Sequence, residues 1–227
     1  MNEQETKRLA HHFEGRETRE ILEWAVGEFG PKLTMTSSFG AEGIVLIDLL
    51  AQLKLRVPVI YLDTGFHFAE TEELKEIIRE RYDLELIEQR AALSVAEQDD
   101  LYGERLFETD PDTCCRIRKV EPLAAALAPY DAWLAALRRD QSPTRAGIKI
   151  IEWNAKRQMV KVNPLAAWTR QQVWNYIVQN GLPYNRLHDE GYTSIGCWPC
   201  TRRTVAGEHE RGGRWAGQQK LECGIHL

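Results

Sequence analysis

The 227-residue chain lacks any apolar run long enough to cross a bilayer, and its start, Met1-Asn2-Glu3-Gln4, lacks the basic flank and apolar stretch of a secretory leader. The expectation is a cytoplasmic protein with no membrane partner, in a reducing compartment where cysteines do not form a disulfide framework. A basic surplus is also missing. With 29 Lys and Arg against 34 Asp and Glu, the formal charge of −5 argues against nucleic acid as a partner. No linker, repeat or low-complexity segment interrupts the chain, so residues 1–227 read as a single domain with enough length to bury a core. From about Gly207 onward, Gly207, Gly212, Gly213, Gly217 and Gly224 are too many for a helix, and 207–227 reads as a mobile C-terminal tail.

What is present has an α/β rhythm. Ile21, Leu22, Trp24 and Ala25 at helical spacing predict an opening amphipathic helix that Gly30-Pro31 ends. Leu33 to Ser37 then reads as a strand, Ala41 to Leu53 as an apolar helix, Val57 to Leu62 as a buried strand, Ala69 to Arg81 as a charged helix and Leu84 to Ile87 as a further strand. Strand–helix alternation implies parallel crossovers, with ligands beyond the carboxyl ends of the strands. Later, Ala132 to Leu137 and Met159 to Val162 are predicted strands. Thr169 to Asn180 is a helix capped by Thr169 and stopped by Gly181 and Pro183.

Basic residues cluster at three places: Arg116, Arg118 and Lys119; Arg138, Arg139 and Arg145; and Arg202, Arg203, Arg211 and Arg214. On an acidic chain they predict a pocket for a small, multiply charged anion, although a run of arginines is also what a solvated face looks like. Ser37-Ser38-Phe39-Gly40 falls at a strand-to-helix turn that could hold a phosphate on backbone N–H groups or be an ordinary capped turn. It is neither a Walker loop nor a dinucleotide fingerprint. Leu62-Asp63-Thr64-Gly65, at a second strand end, favours the nucleotide reading. The tryptophans Trp133, Trp153, Trp168 and Trp174 read as packing, and the histidines show no metal-ligand spacing.

Four of the five cysteines form two close pairs, Cys114-Cys115 and Cys197-Trp198-Pro199-Cys200. Buried thiols in a core are the plain alternative, but Arg116 and Arg118 beside one pair make an apolar setting a poor fit. Four thiolates suit zinc or an iron–sulfur cluster, and the adjacency of Cys114 and Cys115 favours the cluster, whose iron atoms are separate. Cys223 stands apart in Glu222-Cys223-Gly224-Ile225-His226, either an incidental thiol or a nucleophile activated by arginines such as Arg211 and Arg214.

Together, Cys114-Cys115-Arg116-Ile117-Arg118-Lys119-Val120-Glu121-Pro122-Leu123, Gly196-Cys197-Trp198-Pro199-Cys200-Thr201-Arg202 and Glu222-Cys223-Gly224-Ile225-His226 resemble the assimilatory, thioredoxin-dependent adenylyl-sulfate reductases, which reduce adenosine 5′-phosphosulfate (APS). The sister family acting on the 3′-phosphorylated nucleotide (PAPS) generally lacks the two cysteine pairs. The resemblance, from about Ser37 to the C-terminus, implies a Rossmann-like three-layer parallel sheet of the adenine nucleotide alpha-hydrolase type with a flexible C-terminal tail. It implies one 4Fe-4S cluster per chain on Cys114, Cys115, Cys197 and Cys200. Cys223 would be the nucleophile that attacks APS, carries an S-sulfo group and yields sulfite to thioredoxin or a glutaredoxin-like reductant. Ser37, Ser38, Phe39, Gly40, Leu62, Asp63, Thr64 and Gly65 would bind nucleotide, and Lys119, Arg145, Arg211, Arg214 and His226 the phosphosulfate. Lys119 would link a non-redox cluster to the sulfonate. Gly43, where many relatives carry an acid, and Ala136, where a glycine often opens the arginine loop, depart from the pattern. PAPS or dual use is the alternative within the enzymes, and an iron–sulfur redox sensor the alternative outside them. ATP pyrophosphatase chemistry would need a Ser-Gly-Gly-x-Asp-Ser loop that is not here. The oligomeric state, homo-oligomer or monomer, is not set by the sequence.

Overall fold

The computed structural model describes residues 1–226. Two helices open the chain, α1 (Glu3–Phe13) and α2 (Thr18–Phe29), followed by β1 (Leu33–Thr36), α3 (Ala41–Gln52), β2 (Val59–Asp63), α4 (Ala69–Tyr82) and β3 (Leu86–Arg90). Three short helices, α5 (Val95–Tyr102), α6 (Leu106–Thr109) and α7 (Pro111–Cys115), lead through a π-turn at Arg116–Val120 into α8 (Glu121–Leu127). The chain then runs through β4 (Ala132–Ala135), β5 (Ile151–Asn154), β6 (Met159–Val162) and α9 (Arg170–Gln179).

The strands form one sheet in the order β3-β2-β1-β4-β6-β5, parallel throughout except for the antiparallel edge strand β5. All four residues of β4 are buried, between β1 (Leu33 opposite Ala132) and β6 (Ala132 opposite Val160). The chain winds outward from β1 to β3 and then returns to place β4 on the other side of β1. That reversal opens a crevice at the carboxyl ends of β1, β2 and β4, where a doubly wound sheet takes its ligand. The apolar helix α3 lies over the sheet with Ile44, Val45, Leu46 and Ile47 essentially inaccessible, in a core shared with Ile21, Leu22, Met35 and Val160.

The strands and helices expected between residues 18 and 90 are present. β2 and β3 sit about two residues later than predicted, because Pro58 and Asp83, the latter in the left-handed region, delay their entry. α1 and β5 were not anticipated. α1 carries its own signal, a capping box in which Asn2 accepts from Glu5 N at 3.0 Å and Glu5 from Asn2 N at 3.0 Å. β5 is the first arm of a hairpin with β6, and only its pairing makes four residues a strand. Among the described residues no helix is long and apolar enough to cross a membrane.

Candidate active site

The crevice is a cavity of about 190 Å³ bounded on one side by strand ends and on the other by the tail. Ser37, Ser38 and Gly40 line it from the β1–α3 turn. This turn is tight: Ser37 Oγ accepts from Phe39 N at 3.0 Å, and Phe39 takes a left-handed conformation with φ of 54°. Gly43 faces Ser37 so closely that a Cβ there would stand 2.6 Å from Ser37 Oγ, which accounts for glycine at this departure from the pattern. Leu62 and Thr64 line the cavity from the end of β2, and Ala136 and Leu137 from the end of β4. Phe39, Asp63 and Gly65 do not: the Phe39 ring is in the core, and Asp63 accepts from Gly65 N at 3.0 Å and pairs with Arg90 at 2.8 Å.

The tail crosses the opening and brings in Arg211, Arg214, Cys223, Ile225 and His226. Of the ten residues in the three basic clusters, four line this cavity: Lys119, Arg145, Arg211 and Arg214. The others are used elsewhere. Arg139 pairs with Glu14 at 2.6 Å, Arg203 with Glu190 at 2.8 Å and Arg202 with Glu208 at 2.6 Å, while Arg116 pairs with Glu121. Arg138 is neither a free anion ligand nor part of a solvated face. It is fully buried, donates to Glu42 and to both oxygens of Glu210 at 2.8 Å each, and also pairs with Asp140.

The Cys223 thiol is pushed up by burial, but the Lys119 ammonium, the Ile225 N–H and the Arg214 and Arg211 guanidiniums outweigh that effect and hold it below the ordinary thiol range. His226 is driven well below the usual imidazole range by burial and by Arg145, Lys161, Arg211 and Arg157, so its ring is neutral. Its Nδ1 has no hydrogen-bond partner, and Lys161 fixes its carbonyl at 3.1 Å. Arg214 lies flat on Gly196, where a Cβ would come within 2.3 Å of Nη2, and its guanidinium packs 4.5 Å from the Trp215 ring centre.

Behind Lys119 lies a second, smaller cavity. Cys114, Cys115, Cys197 and Cys200 line it with Phe66, Phe107, Pro111, Pro199, Arg118 and Lys119. Lys119 and Cys197 are walls of both cavities. The π-turn at Arg116–Val120 follows Cys114 and Cys115 directly and carries Lys119 into this partition. Burial and the neighbouring thiolates push Cys114 up to about 12, and burial takes Cys115 to about 11 despite Lys119.

A family model described as "Phosphoadenosine phosphosulfate reductase domain" matches residues 32–203. The chain belongs to the phosphoadenosine phosphosulfate reductase family. Family relatives cover nearly the whole chain. The phosphoadenosine 5′-phosphosulfate reductase of Gloeobacter violaceus is 51% identical over 96% of this chain and 92% of its own length. The adenosine 5′-phosphosulfate reductase of Shouchella clausii is 49% identical over 93% and 88%. Among solved structures, the phosphoadenylyl-sulfate reductase of Candida auris, a phosphate complex, superposes with a TM-score of 0.79 at 32% identity, over 89% of this chain and 98% of that one. Yeast FAD synthetase shares the fold alone, with a TM-score of 0.59 at 19% identity over 83% and 65%. The family's adenine nucleotide alpha-hydrolase-like sheet is thus the architecture predicted from the motifs.

Sequence reasoning missed several wall residues of this family member. Glu42, Glu210, Gln141, His67, His188 and Trp174 all line the cavity. Trp174, read as packing, stands edge-on to His188 with ring centres 5.0 Å apart. His67 is tied to Leu62 O at 2.8 Å. None belongs to a spaced motif; the fold alone brings them together.

Proposed function

We propose that this protein reduces APS to sulfite and AMP by a thiol mechanism on Cys223, in the cytoplasmic assimilation of sulfate into cysteine. The family and its relatives, named as reductases of APS or PAPS, support reduction of activated sulfate. The observation that carries the finer reading is the convergence of Cys223 with Lys119, Arg211, Arg214 and neutral His226 in one enclosed wall. The Cys223 thiolate attacks the sulfur of APS; the S–O bond to phosphate breaks, AMP leaves with that electron pair, and an S–S bond to the sulfonate forms. Arg211, Arg214 and Lys119 offset the charge of the sulfonate and of the departing phosphate. A thioredoxin or glutaredoxin-like thiolate then attacks Cys223 Sγ and expels sulfite. The partner's second thiol resolves the mixed disulfide, returning Cys223 reduced and the partner oxidised.

A 4Fe-4S cluster on Cys114, Cys115, Cys197 and Cys200 fits the donor set. The four thiols line one small cavity beside Lys119, and a set of thiols alone suits an iron–sulfur centre. Arg118 adds a second argument. Its buried guanidinium donates to Gln98 Oε1 at 2.8 Å, Leu93 O at 2.8 Å and Ser94 O at 2.6 Å, all neutral acceptors, and so suits an adjoining centre of net negative charge. When bound, the cluster supplies fixed negative charge behind Lys119 and takes no electrons from the reaction.

Use of PAPS is the second reading, favoured by the name of the Gloeobacter relative. Against it, the remaining charged groups of the wall are the carboxylates Glu42 and Glu210, surroundings that disfavour a further phosphate. Incubation with APS or PAPS without reductant, followed by intact-mass analysis, tests all of this. The expected result is a sulfonate adduct from APS, localised to Cys223 and absent in Cys223→Ser, in a brown protein with iron and acid-labile sulfide in near-equal amounts. An adduct on another residue, or Cys223→Ser turning over like wild type, refutes the mechanism.

A further inference from the structure

The chemistry above gives no task to Glu222, the residue just before the nucleophile. Its carboxylate nevertheless receives four hydrogen bonds. Arg145 donates through Nε and Nη2 at 2.9 Å each, Thr144 Oγ1 at 3.0 Å and Arg211 Nη2 at 3.2 Å. Arg145 Nη1 is meanwhile turned to Gln141 Oε1, so three nitrogens of this guanidinium are engaged by protein. The pair is sheltered, with side chains 10% and 18% exposed. The other side-chain ties of the tail beyond Trp215 are slighter among the described residues. Lys220 reaches Asp112, which is 84% exposed, Gln218 reaches Phe107 O at 3.5 Å and Lys161 holds His226 O.

We infer that Glu222 is a positioning residue that latches the tail, its carboxylate docking on Arg145, Arg211 and Thr144 so that Cys223 is held against Lys119. The neighbour of a nucleophile fixes where that nucleophile stands, because one residue of extended chain spans at most about 3.6 Å. Arg145 and Arg211 also line the cavity, so Glu222 and a bound anion address the same two cations. Loss of the carboxylate therefore has opposite effects on two measurable quantities. It loosens the tail and slows attack by Cys223, and it leaves more positive charge on the wall for nucleotide.

The inference rests on the Cys223 mechanism proposed above, and the experiment separates the two. In Glu222→Gln of the full chain, which keeps the acceptor and removes the charge, amide hydrogen exchange over residues 216–226 should accelerate by about tenfold, as for weakening of one charge-assisted hydrogen bond. Formation of the Cys223 adduct from APS should slow by a similar factor, while the Kd for AMP, by calorimetry, stays the same or tightens. An unchanged rate of exchange, an adduct formed at the wild-type rate, or weakened AMP binding overturns the latch. If wild-type protein forms no adduct with APS, the reaction is wrong, and exchange still tests the latch.

Discussion

Replacing Arg138 by Met, which keeps the length and removes the charge, should destabilise the protein far more than a surface arginine would. The guanidinium is fully buried and serves Glu42, Glu210 and Asp140 at once, and the Glu42 and Glu210 side chains are only 14% exposed. Without it, two sheltered carboxylates face each other with only the weaker pull of Arg170 on Glu210 left. Breaking a buried ion pair from one side costs about 3–5 kcal/mol. With a urea dependence of about 2.5 kcal/mol/M, the unfolding midpoint should fall by about 1–2 M. The sign with pH is also fixed. Burial, together with Glu42, already raises Glu210 above the ordinary carboxylate range, with Arg138 opposing it. In the variant most of that opposition is gone and only Arg170 remains, so the folded state binds a proton more readily than the unfolded chain, and stability is regained as pH falls through the folded pKa. The deficit should be largest near pH 8 and smaller at pH 5, read by urea unfolding at both. A loss under about 1 kcal/mol, or one equal at both pH values, would refute the description of Arg138 as the counter-charge of this cage.

Two further perturbations separate binding from stability. Gly196→Ala places a methyl where the Arg214 guanidinium lies; because that group is a flexible end, the Tm should hold while the Kd for AMP weakens by about tenfold in calorimetry. Asp48→Asn removes a charge that accepts from Tyr82, Tyr176 and Gln52 at 2.7 Å each, tying α3 to α4 and α9. About 1–2 kcal/mol should be lost in urea unfolding with AMP affinity unchanged, since Asp48 is not part of the cavity wall.

The repetitive half of the fold was legible in the sequence because local signals and tertiary need coincide there. Val59 to Asp63 and Ala41 to Gln52 are apolar runs that can be buried only as strand and helix of one parallel sheet. The cysteines and the tail motif were legible for another reason, that thiols in fixed spacing serve few chemistries. What stayed hidden depends on partners distant in sequence. Arg138 looks like any arginine in a charged run, and only the approach of Glu210, 72 residues later, and Glu42, 96 residues earlier, makes it a buried counter-ion. Arg145 likewise reads as an anion ligand until Glu222, 77 residues away, lands on it. His188 and Trp174 line the cavity through the path of α9 and the loop after it, which no spacing encodes.

The cage around Arg138 also sets a length. Glu210 is bound there, and backbone bonds from Arg202 N to Gly213 O at 2.9 Å and from Trp215 N to Cys200 O at 3.0 Å stitch the start of the tail to the segment carrying the second cysteine pair. Cys223 therefore stands on a leash of eight residues from Trp215, which reaches about 28 Å when fully drawn out. A partner thiol must come within that radius if it is to meet the sulfur while the cysteine wall stays whole.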